Sequence, residues 1–491
     1  MSLTSALMIA SQSLGTISNQ INIVSKNISN AGTDGSSKKT AIVSTGPSGA
    51  SELKGVGRAT NLSVFRTLLA ANSNLAKSSR VSNAMDQIDL SVNLSDPENS
   101  RAPAVLISKL ADALVAFSAN PDDRTRADSV IQFGRELITS LHDSAELISA
   151  MRREADDNIA RGVESTNEIL DRIYSINRDI ITSSGKDDDT TDLMDQRDNL
   201  LKQLSGIIGI KTAIRPNNDV VIYADNGTTI FETSPRYVTF QKSLNLSAGG
   251  IGAAIYIDGV QATGAGSPAQ LKSGSLAGDI SVRDDITPFY QAQLDEIART
   301  LITAFAEYDQ SGTGHAALPG LFTIPNATTL PDGSYISGLA EQLSLNPLAD
   351  PNQGGNATLL RDGGISGNNL YIYNTEGSAG YNERILELAD SISISHTYSS
   401  EAGLISNGSL LDFSQASIGW VGAHKQQASG EMTYENAFVT RSTILLSSTT
   451  GVNIDEQMTQ MLTLENAYQA SAKVLQTINS IYDTLFSAIN R

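Results

Sequence analysis

Both ends of this chain are written as seam helices, and that constrains the fold more than anything between them. Leu3, Leu7, Ala10, Leu14, Ile17, Ile21, Val24 and Ile28 follow one another at alternating spacings of four and three, and all eight are apolar. This is the heptad pattern of a helix that buries one seam against another helix. Toward the other end the same spacing selects Ile454, Gln457, Met461, Leu464, Tyr468, Ser471, Leu475, Ile478, Tyr482, Leu485 and Ile489, nine of the eleven apolar. The economical expectation is that the two seams pair with each other. The ends of the chain then lie together, and everything between them is an insertion.

Charge divides along the same line. The chain carries 34 Lys+Arg against 53 Asp+Glu, a net charge of -19. Residues 1–50 hold Lys26, Lys38, Lys39 and Asp34, and residues 451–491 hold Lys473, Arg491, Asp455, Glu456, Glu465 and Asp483, so the ends sum to zero and the middle carries all of the -19. No charged side chain occurs between Met1 and Ser25. An exposed helix ordinarily carries Lys and Glu for solubility, whereas charge depletion marks the centre of a protein interface. The first helix is therefore expected to be packed on several sides by neighbouring subunits. An acidic chain without a large Lys/Arg cluster also argues against nucleic-acid and membrane partners.

The middle reads as a helical bundle with a β insert. Helical periodicity runs from Val64 to about Leu94, stopping at Asp96 and Pro97, and again from Ala104 to Phe117. Arg124 to Ser183 contains no proline and repeats apolar residues from Val130 to Ile180, which predicts a rod of about 90 Å. A shorter helix follows from Thr191 to Leu204. From Ile210 the pattern turns to short strands, with turns at Pro216–Asp219, Asn226–Gly227 and Asp258–Gly259. Helices return at Thr287–Tyr308, Glu383–Tyr398 and Tyr434–Ser447. The fold class is mainly α with an inserted β domain: terminal helices paired as a coiled coil, an elongated bundle and a small β-rich insert. The expected domains are 1–40 with 451–491 (coiled coil), 60–210 with 283–310 and 383–450 (bundle), 211–282 (β insert), and a loop-rich stretch 311–382.

Catalytic patterns do not emerge. The absence of cysteine excludes disulfides, thiol catalysis and Cys-ligated zinc, and His142, His315, His396 and His424 lack metal-ligand spacing. Five aspartates fall within 187–195, but they lack the alternation and central glycine of a calcium loop and read better as helix-capping and first-turn acids. Ser36 and Lys39 fit Ser-x-x-Lys in a linker, and Gly274–Gly278 places its serine one position too early for a nucleophile elbow. The chain is read as a non-enzyme with no metal or cofactor. No stretch matches the 18 or so apolar residues of a membrane-spanning helix, and the first residues lack the basic and apolar regions of a secretory signal. Those features alone predict a cytoplasmic chain or one exported without cleavage.

Specific segments carry a family resemblance. Asn27-Ile28-Ser29-Asn30-Ala31, then Thr33 and Gly35, resembles the Asn-Asn-Ile-Ser-Asn-Ala-Asn-Thr-Pro-Gly-Tyr segment of the bacterial flagellar axial proteins, with Lys26, Gly32, Asp34 and Ser36 as departures. Thr191 to Leu201, centred on Asp195-Gln196-Arg197-Asp198, is similar to an Asp-Leu-x-Asp-Gln-Arg-Asp-x-Leu-Leu segment in the hook-associated branch of that family. Val282-Arg283-Asp284 with Gln291–Glu296, Gly451–Met458 and Ala467–Val474 are similar to that branch as well.

The resemblance implies a structural subunit in a ring at the junction of hook and filament, with the terminal helices as inner tubes, the bundle as the next shell and the β insert outermost. Its implied partners are copies of itself, the hook protein, hook-associated protein 3 and a cytoplasmic export chaperone at the C-terminal helix. Its implied location is the flagellum outside the cell, reached by type III export without a cleaved signal. The alternatives are another axial protein (hook-associated protein 3 or the hook protein) and an extracellular enzyme carried on the filament. The Asp195–Asp198 segment counts against the first, and the missing catalytic constellation against the second.

Overall fold

The computed structural model describes residues 3–47, 49–93, 100–186 and 188–489, with all their side chains except that of Ile489. Leu94, Asp96, Pro97, Asp187 and Arg491 lie outside the described residues, and with them the expected end of the helix that starts near Val64. The chain begins with helix α1 (Leu3–Ser29) and an antiparallel hairpin, β1 (Lys39–Thr45) and β2 (Ser51–Arg58). Helices α2 (Leu62–Val92), α3 (Pro103–Ala119), α4 (Arg124–Ser184) and α5 (Thr191–Ile207) follow. Helix α4 has 61 residues, starts where the Asp123 carboxylate accepts from Thr125 N at 2.9 Å, and turns apolar residues from Val130 to Ile180 inward. Its length of about 90 Å makes it the axis against which the other layers pack.

Two three-stranded antiparallel sheets lie beside the second half of α4: β3 (Ile210–Ile214), β4 (Val220–Ala224) and β5 (Thr229–Phe231), then β6 (Val238–Thr239), β7 (Tyr256–Ile257) and β8 (Val260–Gln261). Asn217 and Asn218, both at φ 58°, make the left-handed turn between β3 and β4, a conformation that Asn tolerates. The insert gives way to helix at Ser275, before the residue-282 boundary predicted from texture. There Gly274 sits at φ +91°, and a Cβ would lie 2.5 Å from the Ile207 carbonyl oxygen. Helix α6 (Ser275–Ile280), a π-helical turn (Ser281–Ile286) and α7 (Thr287–Ala304) then form one continuous element. Helix α7 ends four residues short of the predicted Tyr308.

The stretch 311–382 is irregular but not peripheral. Strand β9 (Phe322–Thr323) pairs with β10 (Ser344–Leu345), with α8 (Leu339–Gln342) and α9 (Leu359–Asp362) as single turns. Leu321, Phe322, Leu339, Leu343 and Leu360 sit fully buried in the same core as α3, α4 and α7. Helix α10 (Glu383–Ser393) stops earlier than Tyr398, because β11 (His396–Thr397) pairs with β12 (Asn407–Gly408). Helix α11 (Leu410–Thr450) starts 24 residues before the predicted Tyr434, at a capping box in which Ser409 Oγ accepts from Asp412 N at 3.0 Å. It packs on α2, α3 and α7. Helix α12 (Ile454–Ile489) closes the chain against α1. No helix among the described residues is long and apolar enough to cross a membrane.

Two buried carboxylates belong to this packing. Burial pushes Asp279 up to about 6 against the opposing pull of Arg80, and pushes Asp295 up to about 6 although it accepts from Gly338 N and Ala340 N, each at 2.9 Å. Each folded pKa lies above the carboxylate's ordinary value, so between about pH 4 and 6 the folded chain holds protons that the unfolded chain has released. Stability from these groups therefore falls as pH rises through that window and levels off above it. Asp279→Asn is expected to flatten the decline between pH 4.5 and 7, read from urea unfolding midpoints; an unchanged slope would contradict the assignment.

Candidate functional site

The terminal helices form an antiparallel pair whose register is fixed near both ends. Thr4 Oγ1 lies 3.1 Å from Tyr482 Oη, and Asn27 Nδ2 donates to Gln457 Oε1 at 2.8 Å. On α1 all eight seam positions are buried or half-buried, with Ala10 and Val24 the most enclosed. On α12, Ile478 is buried and Met461, Leu464, Leu475 and Tyr482 are half-buried. Three predicted seam residues are exposed: Ile454 (52%), Tyr468 (43%) and Leu485 (51%). Ile454 precedes the Asn27 contact and Leu485 follows the Tyr482 contact, so both stand at the margins of the pair. At Tyr468 the drift of a 3.6-residue helix from a 3.5-residue repeat turns the preceding Ala467 inward instead. The Ile489 side chain is outside the described atoms.

Gln457, a polar exception in the seam, is fully buried. Its partner Asn27 also donates to Lys39 O at 2.8 Å and accepts from Lys39 N at 2.9 Å. One motif side chain thus joins α1, α12 and the first strand of the hairpin, and a buried polar pair of this kind sets register. Ile28 and Asn30 are half-buried beside it, while Ser29 is exposed. The hairpin runs back along α1, where Thr16 Oγ1 donates to Ser51 O at 2.7 Å and Gln12 Nε2 to Glu52 Oε1 at 2.9 Å.

The turn after α1 brings the second motif into the same place. Gly35, at φ +79°, passes so close to α5 that a Cβ would lie 2.0 Å from Asn199 Oδ1. This lets Ser37 donate to Asp195 through its N–H at 3.2 Å and its hydroxyl at 2.7 Å. Arg58 Nη1 lies 2.9 Å from Asp195 and 2.8 Å from Asp198. Lys39 pairs with Asp192 and lies 3.7 Å from Asp195. Asp195 and Asp198, three residues apart, share one face of α5. Burial pushes the Asp198 carboxyl up, and Arg58 pulls it back. Arg197 points away, to Asn177 Oδ1 at 2.9 Å and the Asn218 carbonyl at 2.5 Å, joining α5 to α4 and the β3–β4 turn. Burial lowers the pKa of its guanidinium. Gln196 is exposed. Lys38 completes the junction, donating from N to Thr450 O at 2.8 Å and from Nζ to Glu456 at 2.6 Å, across the α11–α12 joint.

Two further motifs also sit at joints. Arg283, in the π-helical turn, lies 2.6 Å from Asp156 of α4 and 2.8 Å from Asp284. Asn453 Oδ1 accepts from Glu456 N at 3.2 Å where α12 starts. Within the aspartate run, Asp189 accepts from Thr191 N at 3.0 Å, a local turn at the start of α5. Ser37, Lys39 and Arg58 are the contributors that sequence reading passed over as linker. The available signal was the β-branched pair Ile42-Val43 before a Gly46-Pro47 turn. What these side chains do chemically is bind elements to one another, around a cavity of about 330 Å³ lined by Ser37, Arg58, Asp195, Asp198 and Lys202.

Comparison with known proteins finds similar chains. Residues 89–321 match the family described as "Flagellar hook-associated protein FlgK helical domain", and residues 447–488 match "Flagellar basal body rod FlgEFG protein C-terminal". The chain is 21% identical to Flagellar hook-associated protein 1 of Escherichia coli (strain K12) over 76% of this chain and 79% of that protein. It is also 21% identical to Flagellar hook-associated protein 1 of Bacillus subtilis (strain 168), over 81% and 78%. The flagellar hook junction protein FlgK from Burkholderia pseudomallei aligns with a TM-score of 0.41 at 21% identity, over 53% of this chain and 47% of that one.

Asn27→Ala would leave Gln457 and the Lys39 backbone without their buried partners, at a cost of about 2–4 kcal/mol. The expected result is faster amide exchange in α1 and β1 with α4 unchanged. Unaltered protection of Lys39–Thr45 would contradict the role given to Asn27.

Proposed function

We infer that this chain, which belongs to the flagellar hook-associated proteins of the hook-filament junction type, serves as a structural subunit of the junction ring and carries out no catalysis. The observation that carries the reading is the surface left over once α1 and α12 have paired. Met8, Met458, Leu462, Val474, Ile481 and Phe486 remain exposed on the two helices, and the first 25 residues carry no charge. Apolar surface of that extent on a long helix pair is an aggregation hazard unless other subunits cover it.

In this reading the terminal pair, together with the β1–β2 hairpin, forms the inner tube. The bundle built on α4 forms the next shell, and the β insert faces outward with the acidic surface. The ring contacts the hook protein on one side and hook-associated protein 3 on the other. Before export, a cytoplasmic chaperone shields the apolar face of α12, and the chain leaves by the type III route to function outside the cell. The Asn27–Lys39 and Asp195–Asp198 contacts make one body of tube and bundle, so that load on the filament passes into the shell.

Deleting the gene is expected to give cells with hooks but no filaments and flagellin released into the medium. Normal filaments would refute the reading, and missing hooks would favour the hook protein. In the intact chain, Leu475→Asp is expected to block ring assembly or chaperone binding while leaving the bundle folded by circular dichroism.

A further inference from the structure

The most exposed apolar side chains on the described surface are not on the terminal helices. Leu244 and Ile251 are 106% and 93% exposed, and both stand on the loop 243–253 between β6 and β7. Such a loop would ordinarily be soft, but this one is clamped from beneath by three buried charged side chains. Arg152 donates to Leu246 O at 3.3 Å, to Ser247 O at 2.8 Å and to Gly250 O. Asp156 accepts from Ser243 N at 2.9 Å and from its hydroxyl at 2.8 Å. Arg283 donates to Ala253 O at 2.8 Å, and a Cβ at Gly252 would lie 2.3 Å from its Nε. Desolvating these charges is expensive, and the result is two aliphatic side chains held rigidly in water. That is the form of a preorganised binding element.

The loop contains no charged residue, although the chain carries -19. Four exposed acids flank it, Glu146 and Glu341 on one side and Asp285 and Glu401 on the other, against one exposed cation in the same lining, Arg153, while Lys242 before the loop is paired with Asp157 at 2.7 Å. A complementary surface exists on the same molecule. Between α2 and β3 lies a cleft of about 600 Å³ whose apolar wall is Leu69, Ala71, Ile210 and Phe438 and whose rim bears the exposed cations Arg66 and Lys211. Asp225 at that rim is already engaged by Lys272 N at 3.1 Å and Ser273 Oγ at 2.7 Å.

We propose that the loop 243–253 is a knob that docks into the α2–β3 cleft of a neighbouring copy of this chain. Apolar tip meets apolar wall, and flanking acids meet rim cations. The -19 lies on the body between the terminal segments, so at the level of the body a neutral knob facing a basic rim is a place where two copies can approach. A contact between two different patches is heterologous, the kind that closes rings when the rotation permits. The proposal rests on the ring reading above and adds a contact outside the terminal helices.

The chain lacks cysteine, so introduced pairs report without background. Chains carrying Ile251→Cys or Ala70→Cys, the latter an exposed α2 position lining the cleft, would be co-expressed in cells, and hook-filament structures purified and mildly oxidised. Met8→Cys with Leu462→Cys serves as a terminal-helix control pair. The expected result is a disulfide-linked dimer of this chain from the mixed Ile251/Ala70 pair and from neither variant alone. Assembled structures that hold the protein but give no such dimer would overturn the knob while leaving the ring reading intact. Linkage of Ile251→Cys to a different protein would overturn the choice of a second copy. Absence of the protein from purified hook-filament structures, with the parent chain also absent, would overturn the ring reading and the knob with it. As a second measurement, Leu244→Ser/Ile251→Ser removes only exposed side chains, so folding is retained. It is expected to raise the concentration needed for self-association at least about tenfold; an unchanged value would count against the knob.

Discussion

The two halves of this molecule are joined by a cluster of ion pairs and hydrogen bonds centred on one carboxylate. Asp195 receives Ser37 through backbone and hydroxyl, and Arg58 through a guanidinium, at a place where the Asp195 side chain is only 11% exposed. Ser37 and Arg58 bracket the hairpin that lies along α1, and Asp195 belongs to a helix fixed to α4 by the neighbouring Arg197. Through these links the direction of the terminal pair is set by the bundle and not by a flexible linker. A buried ion pair of this type need not add net stability. Removing one partner, however, leaves an unpaired charge at a cost of about 3–5 kcal/mol, so the arrangement favours one geometry over its alternatives.

The division of charge acquires a physical meaning in that frame. Acidic and basic residues of the bundle occupy solvent or sit in specific joints such as Asp156–Arg283 and Glu296–Arg299. The terminal helices carry few charges and bury only part of their apolar surface against one another. A molecule with an acidic body and a neutral stem that leaves apolar surface exposed fits the proposed assembly through the stem. The basic-rimmed cleft and the neutral loop would add a second, lateral contact at the level of the body.

The sequence was most legible where structure is local and periodic. Helix α4 is found within one residue of its expected ends, because it lacks proline, repeats its apolar residues and begins at an Asp cap. Strand β4 and its turns were readable from valine, isoleucine and Asn-Gly chemistry. The β1–β2 hairpin was not, because both of its faces are half-exposed, which blurs the alternation a strand needs to be recognised. The first part of α11 was hidden by Gly419, Gly422 and Gly430. These lower helix propensity, and the packing on α2 and α7 that offsets them is invisible in a window of residues. The motif residues were located by resemblance, but their function as joints was not, since Arg58 and Asp195 are 137 positions apart.

The central claim is that Asp195 couples the stem to the body. Hydrogen exchange on intact Asp195→Ala tests it most directly. The account predicts accelerated exchange in residues 37–45 and 51–58, with protection retained along Val130–Ile180 of α4. Unchanged exchange in the hairpin, or loss of protection throughout α4 as well, would contradict it.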